Sequence, residues 1–200
     1  MGNGIAQVCA MAGYEVIMRD IDQKFIDNAF SQIRKSLSKF AEKGKIQENE
    51  VKEVLSRIHG TLSLKDLKDA EFVIEAAIEN LELKKDIFRE LDALLPYETI
   101  LATNTSSLSI TEIAAATSSP DRVIGMHFMN PVPLMKLVEI IRALTTSDET
   151  TKRTVELALQ LGKTPVEAHD YPGFISNRIL CPMINEAVFC LYEGIGTAEA

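Results

Sequence analysis

Phe72-Val73-Ile74, Ile100-Leu101-Ala102 and Val123-Ile124-Gly125-Met126 are three short apolar runs, each separated from the next by helix-like sequence. Between the first and second, Leu81–Leu95 sets Ile87, Phe88, Leu91, Leu94 and Leu95 on one face, and Pro96 ends it. Between the second and third, Ile110–Ala116 reads as a short helix. Brief apolar runs bounded by turn signals are strands buried on both faces, and their alternation with helices specifies a mostly parallel sheet covered on both sides. Working outward, Glu15–Met18 reads as a strand, residues 24–43 as a helix with Ile26, Ala29, Phe30, Ile33, Leu37 and Phe40 at helical spacing, and Gln47–Ile58 as a second helical stretch. Leu137–Ile141 and Pro165–Ala168 are further strands flanking a helix over Thr150–Leu161. Asp170-Tyr171-Pro172-Gly173 breaks the chain, and Phe174–Tyr192 reads as one long apolar helix. The expected architecture is α/β: a doubly wound, mostly parallel sheet over residues 1–170, then the start of an all-α domain over 171–200.

Composition narrows the function. The 200 residues are 46% hydrophobic and 25% charged, which excludes a disordered chain, a collagen-like chain and a coiled-coil rod. A formal charge of −8 argues against non-specific nucleic-acid binding, which needs a dense basic surface. No run reaches the roughly 20 apolar residues of a membrane span. Cys9, Cys181 and Cys190 are too few and scattered for a disulfide framework or a zinc site and read as buried small hydrophobes in a reducing compartment. No metal is expected. Met1-Gly2-Asn3-Gly4 lacks the basic region of a signal peptide, so the expected location is the cytoplasm.

Both ends read as cut: the chain opens inside a helix and closes on Gly196-Thr197-Ala198-Glu199-Ala200, a helix start without its helix. Gly2 and Gly4 are what a glycine-rich phosphate-binding turn would leave at this position. If Gly2 closes such a motif, Asp20 falls about 23 positions after the motif's first glycine, where an acid bonds the ribose hydroxyls of a dinucleotide. An acid after a strand is also an ordinary turn or helix-capping residue, and spacing alone does not separate the two.

Three polar segments follow the strands and belong on one edge of the sheet: Ala76-Ala77-Ile78-Glu79-Asn80, Thr103-Asn104-Thr105-Ser106-Ser107, and His127-Phe128-Met129-Asn130-Pro131. Open α/β sheets place their ligands on that edge. His127 stands out as the one histidine of three read at a strand end; imidazole exchanges protons near neutral pH. Twelve residues on, Glu139 lies in the apolar strand Leu137-Val138-Glu139-Ile140-Ile141, where an unpaired carboxylate is costly. A His127–Glu139 pair would resolve that cost and orient a general base. A core histidine bonded to a carbonyl, with Glu139 on a wet face, fits the residues equally well. Residues 31–45 carry a local charge of +4, from Arg34, Lys35, Lys39, Lys43 and Lys45 against Glu42: a phosphate-recognising face or a solvated one.

Taken together, Thr103-Asn104-Thr105-Ser106-Ser107-Leu108, Gly125-Met126-His127-Phe128-Met129-Asn130-Pro131-Val132-Pro133-Leu134-Met135-Lys136-Leu137-Val138-Glu139 and Pro172-Gly173-Phe174-Ile175-Ser176-Asn177-Arg178 closely resemble the 3-hydroxyacyl-CoA dehydrogenase family, most of all its short bacterial 3-hydroxybutyryl-CoA members. The resemblance covers essentially the whole chain. It implies an NAD-binding Rossmann domain, lacking here its first strand and most of its GxGxxG turn, followed by the beginning of a helical domain that builds a homodimer. It implies a catalytic His127–Glu139 pair, with Ser106 and Asn177 holding the substrate. It maps NAD contacts to Gly2, Asp20, Glu79, Lys84, Ser106 and Asn130, with Asn104 nearby, and coenzyme A contacts to Ser36, Lys43 and Ser106. The implied reaction is hydride exchange between NAD(H) and C3 of a short 3-hydroxyacyl-CoA.

Two further expectations follow. The chain by itself should bind NAD weakly and act poorly, because the missing strand would leave two exposed strand edges; a fragment that binds coenzyme A or a partner chain without turnover is the alternative. A 3-hydroxyisobutyrate-type dehydrogenase is disfavoured, since that family relies on a lysine as its main acid–base group.

Overall fold

A computed structural model describes all 200 residues. Helix α1 (Gly2–Met11) leads into strand β1 (Val16–Arg19), then α2 (Gln23–Glu42), α3 (Glu48–Ser56) and β2 (Ile58–Thr61). Next come β3 (Phe72–Glu75), α4 (Leu81–Leu94), β4 (Ile100–Thr103), α5 (Ile110–Ala114) and β5 (Val123–Phe128). The chain finishes with β6 (Leu137–Arg142), α6 (Asp148–Gln160), β7 (Thr164–His169) and α7 (Ser176–Tyr192).

The strands form two sheets, a parallel pair β1-β2 and a five-stranded sheet in the order β3-β4-β5-β6-β7, with no ladder joining β1 to β3. All pairings are parallel except β5 with β6. That exception follows from chain length. Eight residues link β5 to β6, too few for the crossover of a dozen or more that a parallel pair requires. Strand β2 is the one strand the sequence reading missed. It took Ile58 as the end of a helix, because Ile58-His59-Gly60-Thr61 is too short and polar to show a strand period.

The five-stranded sheet is covered on both faces, as the alternation of helices and strands requires. Leu101, Val123 and Ile141 pack with Phe88 and Leu91 of α4 and Ile110 and Ile113 of α5. Ile100, Ala102, Ile124, Met126, Val138 and Ile140 pack on the other face with Ile5 and Val8 of α1 and with Ala158 near the end of α6. Fully burying such a side chain stabilises by about 1.5–3 kcal/mol. Helix α1 is the bridge between the two sheets: Ile5 and Val8 face the larger one, while Ala6 and Ala10 pack with Ile33 and Leu37 of α2, Val54 of α3 and Ile58 of β2. A Cβ at Gly4 would sit 2.9 Å from the Val132 Cβ, so α1 approaches the segment after β5 as closely as it does only because that side chain is missing.

Helix α7 leaves the sheet with Ile179, Met183, Ile184 and Val188 exposed. The cysteine reading needs correction on this account. Cys9 is partly buried against the sheet-facing core cluster, and burial pushes its thiol up to about 12. Cys181, however, is exposed and Cys190 only half-buried, because both lie on this outlying helix. No helix is long and apolar enough to cross a membrane.

Candidate active site

His127 and Glu139 are direct partners in the antiparallel β5-β6 register, so both side chains leave the sheet on the same face. The imidazole Nδ1 lies 2.8 Å from Glu139 Oε2, with both side chains buried. Glu139 Oε1 accepts hydrogen bonds from the backbone N–H groups of Ile175 at 3.0 Å and Ser176 at 2.8 Å, at the start of α7. Burial pushes the Glu139 carboxyl up, but the Ser176 amide and the His127 imidazole, with the Ile175 amide behind them, outweigh it and hold the group below the usual carboxylate range. An ionised carboxylate only accepts, so the proton between the two groups sits on Nδ1 and the Nε2 lone pair remains available as a base. The Phe174 ring meets the imidazole edge-on, 5.9 Å between centroids. The other histidines differ from this. His59 lies within β2, exposed, beside Glu15, and His169 does close a strand, β7, against the sequence reading, but it is exposed.

The loops after β3 and β4 are tied together by Glu79. Its Oε1 accepts from the Thr105 hydroxyl at 2.5 Å and the Ser106 amide at 3.0 Å. Burial raises its pKa, yet these donors, together with Lys84 and Ser107, win and hold it below the usual range. Beneath it lies a group the sequence reading missed. Glu75, at the end of β3, accepts from Lys84 Nζ at 2.8 and 3.0 Å and from the Thr103 hydroxyl at 2.7 Å. Lys84 is 1% exposed, and its ammonium also faces Glu79 at 3.7 Å. Lys84, to which the resemblance assigns an NAD contact, is thus held among carboxylates beneath the loop. Its position carried the signal, since it stands four and seven residues before the buried Phe88 and Leu91, on the core face of α4.

The Asn104 carboxamide oxygen accepts from the Phe128 amide at 2.9 Å and links the ends of β4 and β5. Asn130 is exposed just past β5 and precedes the cis peptide to Pro131. Asn177 donates to the Ser106 carbonyl at 3.2 Å. Ser106 and Asn177 share a cleft of about 680 Å³ with Ser107, Pro172, Gly173 and Arg178. Ser36 and Lys43 line a second cleft of about 250 Å³ between α2 and the residues after β5, together with Lys39, Lys45, Pro131 and Leu134. Lys39, Lys43 and Lys45 thus border a cleft near the end of β5, while Arg34 and Lys35 lie outside it, and all five are exposed. The 131–135 turn is fastened by Lys163, whose Nζ donates to the Val132 and Met135 carbonyls.

The site also fits a dinucleotide. No acidic residue stands in the first turn of α1 and its N-cap Met1 offers no side-chain cap; Asn3 Oδ1 accepts from the Gly4 amide at 2.8 Å, and the amides ahead of it suit an anion. Gly2 lies there beside Ala76, the first residue after β3, with 3.8 Å between the Ala76 Cβ and the place a Cβ on Gly2 would take. Asp20 follows β1, with one carboxylate oxygen on the Ile21 amide at 2.7 Å.

A covered, mostly parallel sheet with a histidine–carboxylate pair and an anion-ready helix at the ends of its strands defines a dinucleotide-dependent alcohol dehydrogenase. Residues 1–171 match the family described as 3-hydroxyacyl-CoA dehydrogenase, NAD binding domain. The chain is 54% identical over 200 residues to the probable 3-hydroxybutyryl-CoA dehydrogenase of Bacillus subtilis, matching all of this chain and 70% of that protein. It is 48% identical over 199 residues to the 3-hydroxybutyryl-CoA dehydrogenase of Clostridioides difficile, of which it covers 71%. The crystal structure of (S)-3-hydroxybutyryl-CoA dehydrogenase PaaH1 from Ralstonia eutropha superposes with a TM-score of 0.96 at 49% identity, covering all of this chain and 70% of that one. The chain belongs to the 3-hydroxyacyl-CoA dehydrogenase family, NAD-dependent oxidoreductases of 3-hydroxyacyl-CoA.

Proposed function

We propose that His127 is the general acid–base of this reaction and that the substrate is 3-hydroxybutyryl-CoA, or acetoacetyl-CoA in reverse. The observation that carries the assignment is the 2.8 Å His127–Glu139 contact, with the other carboxylate oxygen fixed by α7. When bound, NAD supplies the hydride acceptor, held by Asp20, the α1 N-terminus at Gly2, and the loops carrying Glu79, Asn104, Ser106 and Asn130. His127 Nε2 takes the proton of the 3-hydroxyl as C3 becomes a carbonyl. The imidazolium so formed stays hydrogen-bonded to the Glu139 carboxylate, which stabilises its charge. Ser106 and Asn177, already bonded to each other, line the wall that would hold the reacting oxygen and thioester. Ser36 and Lys43 hold the coenzyme A phosphates, and that remote binding energy orients the acyl chain at the dyad. The names of the relatives support the four-carbon substrate.

Residues 1–170 form the NAD-binding unit in this reading and 171–200 the beginning of a helical unit through which a homodimer assembles in the cytoplasm. The exposed apolar side chains of α7 support the association. NADH oxidation with acetoacetyl-CoA tests the chemistry. His127→Gln lowers the rate by about 10²–10⁴, and a rate within about threefold of wild type would overturn the assignment.

A further inference from the structure

Phe174 is the single non-glycine residue with positive φ, at 49°, directly after Gly173 at 81°. A bulky residue in that region is strained and persists only where its surroundings hold it there. Here the hold is visible. The Phe174 ring is 4% exposed and packs in the core cluster with Ile110, Ile113, Ile141 and Ala168 while meeting His127 edge-on. Just upstream, Asp170 Oδ2 accepts from the Ser109 hydroxyl at 2.7 Å and the Thr111 amide at 2.8 Å, which fastens the start of the turn to α5. Just downstream, the Ile175 and Ser176 amides lie 3.0 and 2.8 Å from Glu139 Oε1. These are donors that α7 itself leaves without intrahelical partners. The two oxygens of Glu139 are therefore divided, one to α7 and one to His127.

We propose that Phe174 is a positioning residue for the reaction: its buried ring seats the 172–176 turn so that the first amides of α7 clamp Glu139, and the clamped carboxylate fixes the tautomer and orientation of His127. The dyad is complete only while this turn is docked, so the first residues of the helical unit finish an active site built on the sheet. This rests on the reading of His127 as the acid–base group.

Two measurements test it. Nitrogen-15 correlation spectra of labelled histidine in weakly alkaline buffer report the tautomer of each of the three imidazoles, assigned by substitution, without needing turnover. Steady-state kinetics report kcat and KM separately. Wild type holds His127 as the Nδ1–H tautomer. Phe174→Ala converts it to a mixture and lowers kcat about 10- to 100-fold, with KM for NADH and acetoacetyl-CoA within about threefold. Phe174→Leu, which refills most of the volume, recovers much of both. An unchanged tautomer in Phe174→Ala overturns the proposal, whether or not kcat falls. If Phe174→Ala does not fold, Gly173→Ala replaces it: the new Cβ would meet the Arg178 backbone N at 3.0 Å in a positive-φ position, which displaces the same turn. Again a tautomer mixture supports the proposal and an unchanged tautomer overturns it. Full activity in His127→Gln would instead sink the acid–base reading while leaving the tautomer result intact, so the two failures are distinguishable.

Discussion

His127 and Glu139 are twelve residues apart in sequence and directly opposite one another across β5 and β6, with Nδ1 and Oε2 2.8 Å apart. The pairing is a property of register. Slipping β6 by one residue would send Glu139 to the opposite face, among Ile124, Met126 and Phe128 of β5, and leave both groups buried without a partner.

Glu139→Gln separates charge from geometry. The glutamine oxygen still accepts the α7 amides, but its amide nitrogen donates toward His127 and favours the tautomer with the proton on Nε2. The expected result is a kcat lowered by at least about 10²-fold with near-native far-UV circular dichroism. A rate near wild type would mean that the carboxylate charge does not matter.

Stability should fall on the acid side through a small set of carboxylates. Glu139, Asp170 and Asp92 are each pushed up by burial and, on balance, pulled below their ordinary values of 4.5, 3.8 and 3.8 by hydrogen bonds and charge. A depressed folded-state pKa adds stability that is present above the unfolded value and lost as pH falls through the folded one. Tm is therefore expected to hold down to about pH 4.5 and to drop progressively below it. Asp170→Asn lowers Tm at neutral pH and makes the acid decline shallower, which thermal melts across pH would show.

Lys84 and Glu75 form a buried pair, and removing one member leaves the other charge enclosed. Lys84→Met should destabilise by about 3–5 kcal/mol, or roughly 6–20 °C in Tm at 2–4 °C per kcal/mol. Glu75→Gln combined with Lys84→Met should melt above Lys84→Met alone. Because Lys84 also supports the Glu79 loop, NAD affinity measured by nucleotide fluorescence is expected to weaken in the single variant. Unchanged affinity would show that the loop holds without it.

In the proposed reading Ser36 and Lys43 hold the coenzyme A phosphates, remote from the reacting carbon, and so contribute binding that ground state and transition state share. Lys43→Ala should raise KM for acetoacetyl-CoA about two- to fivefold, with kcat within twofold. The difference from wild type should shrink as salt rises. A fall in kcat with KM unchanged would place Lys43 in another role.

The local pattern determined a good deal by itself. Apolar runs at Phe72, Ile100 and Val123 with helices between them could only be satisfied by a sheet covered on both faces, because period-2 and period-3.6 apolar faces must each be buried. The residues at the ends of those strands, His127 and Ser106 among them, were legible for the same reason. Their partners were legible at most as one reading among others, as the His127–Glu139 pair was. That Glu139 meets His127 rather than solvent depends on an antiparallel turn and its register. That Lys84 encloses itself with Glu75, that Asp170 clamps α5 from 61 and 59 positions away, and that Phe174 is driven into the sheet core against its own backbone preference, depend on contacts between distant segments. Periodicity is a property of neighbours along the chain and tells which face a residue takes. Tertiary packing alone decides what stands across from it, because desolvated charges and orphan amides are satisfied by whichever groups the folded chain brings within 3 Å.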